Sequence, residues 1–258
     1  MTPIADILAA ATPTATGFTT TIPTDWMQGR TCYGGLSSAL ALHAAQHSEP
    51  DLPPLRTALI AFVGPLAGEV KVTATRLRRG RTAAFIQADI SSDAGLGYRA
   101  TFVFMHDLPS KIDFDQRPGC DQPPPAADAR LHTGPEEFFT GNFNFLDVKT
   151  PDLAPAELLR WARLRARDGL DPMVELLAIA DGLPPAAHKL LGNVQVPLST
   201  ITWQINLLSA HPATTDGWWL LSARTDYARN GSTSQAMTIR NASGELLADA
   251  IQSVAIFA

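Results

Sequence analysis

Several groups of side chains in this 258-residue chain have types and spacings that can do chemistry. The run GLSSA from Gly35 places two serines behind a glycine, as the nucleophile elbow of serine hydrolases does. That elbow needs a buried strand, a tight strand-to-helix turn and a second glycine, and the second glycine is absent. His43 and His47 lie four apart, a spacing that can hold a metal on one helix face. No Glu follows the first His and no third ligand accompanies them, so a solvated helix face is the expectation. Arg76, Arg78, Arg79 and Arg81 bracket a turn, and Arg163, Arg165 and Arg167 alternate along a second segment. Either set could attract phosphates, but a hairpin tip and an exposed strand face are the expected account, since acidic residues outnumber basic ones in the chain. Cys32 and Cys120 stand in neither a CxxC nor a metal-finger spacing, so neither a disulfide framework nor a structural zinc is expected. There is no Walker-type glycine loop and no dinucleotide fingerprint, and no metal or cofactor is expected. NGS at Asn230 and NAS at Asn241 match glycosylation acceptors, which carry little weight without a secretion signal.

The bulk composition narrows the classes. With 45% hydrophobic and 17% charged residues, the chain has enough apolar surface to offset its conformational entropy, which excludes global disorder. Its 25 acidic and 20 basic side chains give a formal charge of -5, the wrong sign for a partner built on a phosphate backbone, so nucleic acid is excluded. No apolar run approaches the roughly 20 residues that cross a bilayer, since His43, Glu175 and Asp181 interrupt the candidates. The N-terminal ILAAATPTATG lacks a basic leader and reads as a first ordered segment rather than a signal peptide. A reducing, cytoplasmic setting fits the two cysteines.

The elements that must position any site fall into two similar halves. Residues 1–106 and 138–258 are separated by a Pro- and Asp-rich connector, 107–137, with three consecutive prolines at 123–125 and no periodicity. In the first half, GGLSSALALHAAQHS predicts a helix, and strands are predicted from Leu55, Glu69, Thr82 and Tyr98, with RRGR and DAGLG as hairpin turns. In the second half, NFNFLDV and RWARLRAR read as strands. DPMVELLAIADGLPP reads as a helix entered through Asp171 and Pro172 and ended by Gly182 and two prolines. Four more strands follow, LSTITWQINLL, WWLLSARTDYA, TSQAMTIR and LLADAIQSVAIF. The halves overlay at an offset of roughly 150 residues, as a duplication would give. Each is an α+β unit, one helix covering an antiparallel sheet, and two in tandem would pack as an internal pseudo-dimer.

WMQGRTCYGGLSSALALHAA from Trp26, WARLRARDGLDPMVELLAIADGLPPA from Trp161 and a final strand with ADAIQSVAIF resemble the acyl-CoA thioesterase II (TesB-like) family. The resemblance covers nearly the whole chain and is weakest in the connector. It implies a tandem (double) hotdog, two antiparallel sheets each wrapped around a central helix. It also implies hydrolysis of a fatty or related acyl-CoA to free acid and coenzyme A, and assembly into a dimer or larger symmetric oligomer.

The family's catalytic group is an Asp, a Thr or Ser, and a Gln that position a water against the thioester carbonyl. Matched by motif, these fall on Asp181 in IADGLPP, Thr200 in PLSTITW, with Ser199 one register away, and Gln252 in DAIQSVA. The chemistry of the trio agrees. A partly desolvated carboxylate is a general base near neutrality, and an uncharged hydroxyl and amide can hold the water without competing for its proton. At the overlay positions the first half offers Ser38 or Ala39, a stretch near Arg56, and Thr101, so one site per chain is expected. The first half would then supply packing and part of the acyl pocket through Trp26, Tyr33, Gly34 and Gly35. Two other readings are a non-catalytic acyl-CoA or lipid-binding hotdog protein and a hotdog dehydratase. The His-bearing motif of the dehydratases is not visible in the second helix.

Overall fold

The computed structural model describes every residue except 193, 195 and 258. A short helix, α1 (Ile4–Ala9), and a hairpin of β1 (Thr12–Thr14) and β2 (Gly17–Thr21) open the chain. The paired two-residue strands β3 (Met27–Gln28) and β4 (Thr31–Cys32) lead into α2 (Gly34–His47). Then come β5 (Leu55–Phe62), β6 (Glu69–Arg79), β7 (Ala83–Ser92) and β8 (Gly95–Met105). After the connector follow β9 (Phe143–Asp147), β10 (Glu157–Leu164), α3 (Pro172–Ala180), β11 (Leu198–Leu207), β12 (Trp219–Arg229), β13 (Ser232–Asn241) and β14 (Leu246–Ile256). Between Met105 and Phe139 the described residues form no helix or strand, only a single bridge from His132 to Phe145.

The expected two sheets are one. Twelve antiparallel strands run in the order β1-β2-β6-β7-β8-β5-β11-β14-β13-β12-β10-β9. The halves join where β5 pairs with β11, Trp203 facing Ile60 and Ile205 facing Ala58. Left apart, each half would present a bare row of N–H and C=O groups at this edge, and pairing the two removes both. The order reads the same from either end: β6, β7, β8, β5 in one half answer β12, β13, β14, β11 in the other. This is the pseudo-symmetry expected of a duplicated unit.

One face of the sheet is apolar by period-two alternation, with Ala84, Ile86, Ala88 and Ile90 on β7 and Tyr98, Ala100, Phe102 and Phe104 on β8 all buried. Both long helices lie against this face. Helix α2 is buried on nearly all sides from Gly34 to Ala45, as its run of Leu, Ala, Ser and Gly, interrupted only by half-buried His43, requires. It meets α3 at touching backbone, for a Cβ on Gly35 would lie 2.3 Å from the Ala178 carbonyl oxygen. Only glycine fits there.

Helix α3 begins as its sequence predicts. The Asp171 carboxylate accepts the Met173 and Val174 N–H groups, both at 3.0 Å, and Pro172 takes the first helical position. Its interior holds one acid, Glu175, buried to 2% exposure. That charge is matched by a two-point contact from Arg167, at 3.1 and 3.0 Å, and by the Trp219 indole N–H at 3.0 Å. The helix stops at Asp181, where the Gly182 N–H turns back to the Ile179 carbonyl at 2.8 Å and two prolines follow. The arginine row at 163–167 is not a continuous strand face, because β10 ends at Leu164. Arg163 lies over the Trp218 ring, Arg165 donates to the Gly141 carbonyl and Arg167 serves Glu175.

Candidate active site

Asp181 caps the C-terminal end of α3, and its carboxyl is directed at the N-terminal end of α2. A Cβ on Gly34 would stand 2.6 Å from Asp181 Oδ2, and the Gly35 N–H donates to the carboxyl. The residue is half-buried, yet desolvation of the carboxyl pushes its pKa from 3.8 up to about 7, against the lowering effect of hydrogen bonds from Gln252 and from the Gly35 backbone. Burial therefore outweighs both donors, and the group exchanges a proton near neutrality.

Gln252 sits on β14 with its side chain on the inner face, and its Nε2 donates to Asp181 Oδ1 at 2.8 Å. Register places it in a row across four strands: Trp203 on β11 faces Gln252, Gln252 faces Gln235 on β13, and Gln235 faces Thr225 on β12. All four side chains are buried. Gln235 Nε2 donates to Gln252 Oε1 at 2.7 Å, and Gln235 Oε1 accepts the Ala186 N–H at 2.8 Å. Among the described residues Trp203 Nε1 and Thr225 Oγ1 have no protein partner. Gln235 is not among the residues expected from sequence, although a signal for it is present there. Thr233, Gln235, Met237 and Ile239 occupy the buried phase of β13, and a long amide in that phase needs a polar partner.

Thr200 reaches the same face through a bulge. Alternation back from buried Trp203 would turn Ile201 inward and Thr200 outward. An irregularity between Thr200 and Thr202 inserts one residue, leaves Ile201 47% exposed, and brings Thr200 opposite fully buried Val254. Thr200 is thus half-buried on the Gln252 side of the sheet, whereas Ser199 is exposed. The structure brings Asp181 and Gln252 into direct contact. Among the described residues it shows no hydrogen bond from Thr200 to either.

Tyr33, Gly34 and Gly35 surround the carboxyl, and Trp26 stands one layer back. The Tyr33 hydroxyl donates to the Ala178 carbonyl at 2.8 Å, and burial first, then the nearby Asp181, raises its pKa well above its ordinary value. Trp26 stacks on Tyr33 and commits its indole N–H to the Thr2 carbonyl at 2.8 Å. Two aromatic residues not foreseen complete the wall. Phe62 is where a Gly34 Cβ would fall, at 2.8 Å, and Tyr98 packs edge-on to Phe62 and hydrogen-bonds Ser38.

The rival chemistries do not assemble. Ser37 and Ser38 turn their hydroxyls back to the Tyr33 and Gly34 carbonyls inside α2. His43 is not simply solvated: it is half-buried against Phe18, and burial lowers its pKa to about 4. No group of metal-binding side chains occurs among the described residues. Cys32 is buried, which pushes its thiol up to about 12 and makes it a poor nucleophile. Arg76 and Arg79 pair with Glu49.

The first half lacks the same chemistry at the matching place. Counted from the bulged pairs beside the turns, Ser91–Leu96 and Arg240–Leu246, the pair Gln235–Gln252 corresponds to Ile86–Phe102, both fully buried. The counterpart of Gln252 is therefore Phe102 rather than Thr101, whose side chain belongs to the opposite face.

Residues 22–105 match the profile of the acyl-CoA thioesterase N-terminal domain and residues 117–256 that of the C-terminal domain. Among solved structures, a conserved hotdog-fold protein from Alicyclobacillus acidocaldarius superposes with a TM-score of 0.85 at 21% identity, covering 100% of this chain and 99% of that one. A tesB protein from Mycobacterium avium subspecies paratuberculosis gives 0.78 at 18% identity, with 99% of both chains covered. Acyl-CoA thioesterase II TesB2 from Mycobacterium marinum gives 0.78 at 15% identity, covering 98% of this chain and 97% of that one. At these identities the likeness is one of fold, the hotdog fold. A search among curated proteins finds no match.

Proposed function

The chain belongs to the acyl-CoA thioesterase family and is a thioester hydrolase, and from that premise we propose that it cleaves a fatty or related acyl-CoA with a water activated by Asp181. The observation that carries this reading is the Asp181 carboxyl itself, held by Gln252 at 2.8 Å, facing a helix N-terminus, with its pKa lifted to about 7.

The steps follow from these groups. Asp181 accepts a proton from water as the water oxygen attacks the thioester carbonyl carbon. Thr200, on the same face as Gln252, holds that water from the opposite side. Charge develops on the carbonyl oxygen, and the Gly34 and Leu36 N–H groups in the first turn of α2, which have no acceptor within the helix, lie at the right end of its dipole to stabilise it, the Gly35 N–H being held by Asp181. The tetrahedral intermediate expels the coenzyme A thiolate, and the proton held by Asp181 returns to the leaving sulfur. The acyl chain runs along Tyr33 and the Gly34–Gly35 backbone past half-buried Phe62, with Trp26 bracing Tyr33.

In this mechanism residues 1–106 and 138–258 act as two hotdog units joined by the connector 107–137, the second unit supplying the acid and amide and the first the helix N-terminus. Copies of the chain would associate through the outer sheet face, where Leu59, Tyr227 and Ile251 stand exposed around a groove of about 530 Å³. Among the described residues no helix is long and apolar enough to cross a membrane.

The test is thiol release from a panel of acyl-CoAs of graded chain length and from aryl-CoAs. The wild type should hydrolyse at least one class, and Asp181→Asn should lose about 10²- to 10⁴-fold in kcat, the usual worth of a general base. Undiminished turnover in Asp181→Asn would place the base elsewhere.

A further inference from the structure

We propose that Gln235 is a positioning residue for the hydrolysis, fixing which end of the Gln252 amide faces Asp181. The inference rests on Asp181 being the base and adds a residue that never touches substrate.

Donors and acceptors along the chain of contacts set its direction. The Ala186 N–H can only donate, and it points at the Gln235 side chain at 2.8 Å. Gln235 must therefore present Oε1 to Ala186, which leaves its Nε2 toward Gln252 at 2.7 Å. Gln252 must in turn accept through Oε1, and its own Nε2 is left facing Asp181 Oδ1 at 2.8 Å. A backbone group thus sets the polarity of three successive hydrogen bonds. An isolated Gln252 could turn its amide over and offer its carbonyl to a protonated Asp181, holding the acid in the form that cannot take a proton from water. The relay removes that alternative.

The site leaves little else to perform this task. The groups facing Asp181 from other elements are the Gly35 N–H of α2, Tyr33 before it, Tyr98 of β8 and Gln252 of β14. Tyr33 donates to Ala178 and Tyr98 to Ser38, so neither hydroxyl proton is spent on the carboxyl. No Lys, Arg or His forms an ion pair with Asp181 among the described residues. Both Gln235 and Gln252 are buried, at 1% and 2% exposure, where an unmatched amide is expensive. The matching pair in the first half, Ile86–Phe102, is apolar.

The experiment is a pair of substitutions read by pH–rate profiles. Gln235→Met should lower kcat by about ten- to a hundredfold, the worth of one hydrogen bond to a charged group. It should also move the acidic limb of kcat/KM upward by about one pH unit. In a Gln252→Met background the same Gln235→Met change should alter neither quantity more than about twofold, because the path to Asp181 is already cut. Equal proportional losses in both backgrounds, or a loss with an unmoved acidic limb, would overturn the proposal and leave Gln235 as core packing. Should a variant not fold, side-chain amide NMR of the wild type decides between the two roles. The Gln235 NH₂ signals, one hydrogen bond removed from the carboxyl, should shift with the titration of Asp181 as those of Gln252 do, and Gln235 signals indifferent to it would refute the relay. An active Asp181→Asn would instead remove the base assignment, so the two failures are distinguishable.

Discussion

Replacing Asp181 by Asn should raise the stability of the folded chain, and by an amount that depends on pH. Burial lifts the carboxyl from 3.8 to about 7, so the native state holds this proton more tightly than the unfolded chain does. The sign follows by linkage. The favourable contribution of the protonated group is complete below pH 3.8 and is lost as pH rises through the folded value near 7. At 1.36 kcal/mol per pH unit, the loss approaches about 4 kcal/mol at pH 8, an upper figure for a half-buried side chain. Asn keeps the shape, can accept from Gln252, and does not ionise. Urea unfolding at a series of pH values should therefore show the two proteins converging toward pH 4 and the variant gaining about 1 kcal/mol per pH unit until the difference levels off above pH 7. In thermal melts each kcal/mol corresponds to about 2–4 °C for a chain of this size. Parallel stability curves, or a wild type more stable than the variant at pH 8, would refute the claim that folding confines this carboxyl against its solvation.

Gly34→Ala should fold and lose about a hundredfold in kcat, because its Cβ would stand 2.6 Å from the Asp181 carboxylate and displace it; steady-state kinetics beside a melting curve checks this. Glu175→Leu should lower unfolding free energy by about 1–2 kcal/mol, since it leaves the buried Trp219 N–H without an acceptor while the partly exposed Arg167 guanidinium turns to solvent; denaturant titration measures it. The double variant Cys32→Ser, Cys120→Ser should retain turnover when assayed as folded protein, because no step uses a thiol.

Much of the fold is legible in the sequence, and the exceptions have physical causes. The helix at Pro172 announces itself through its Asp171 cap and apolar run, the helix at Gly34 through a run of small and apolar helix formers after a glycine pair, and the strands from Leu55 onward through alternation between turn residues. Nothing in either half says that β5 and β11 will pair, because edge pairing depends on which two backbones are left open once each half has closed on its helix. The short N-terminal elements escape a sequence reading for a related reason: Ile4 and Ile7 are buried only because the sheet is already there to receive them. At the site, Asp181, Thr200 and Gln252 are reached by likeness to a family, and their chemistry alone does not single them out. The bulge that turns Thr200 inward breaks the alternation a sequence reader relies on. Gln235 is the opposite case, a residue readable from its own phase in TSQAMTIR. It escapes notice because a polar side chain in a strand is ordinarily assigned to solvent.

The most direct measurement is the pH dependence of acyl-CoA hydrolysis by the wild type, followed as thiol release from about pH 5 to 9. A buried carboxylate acting as base predicts a rate that climbs with pH and reaches a plateau, with its midpoint near 7, where burial places Asp181. A profile that is flat through neutrality, or that falls as pH rises through 7, would contradict the assignment.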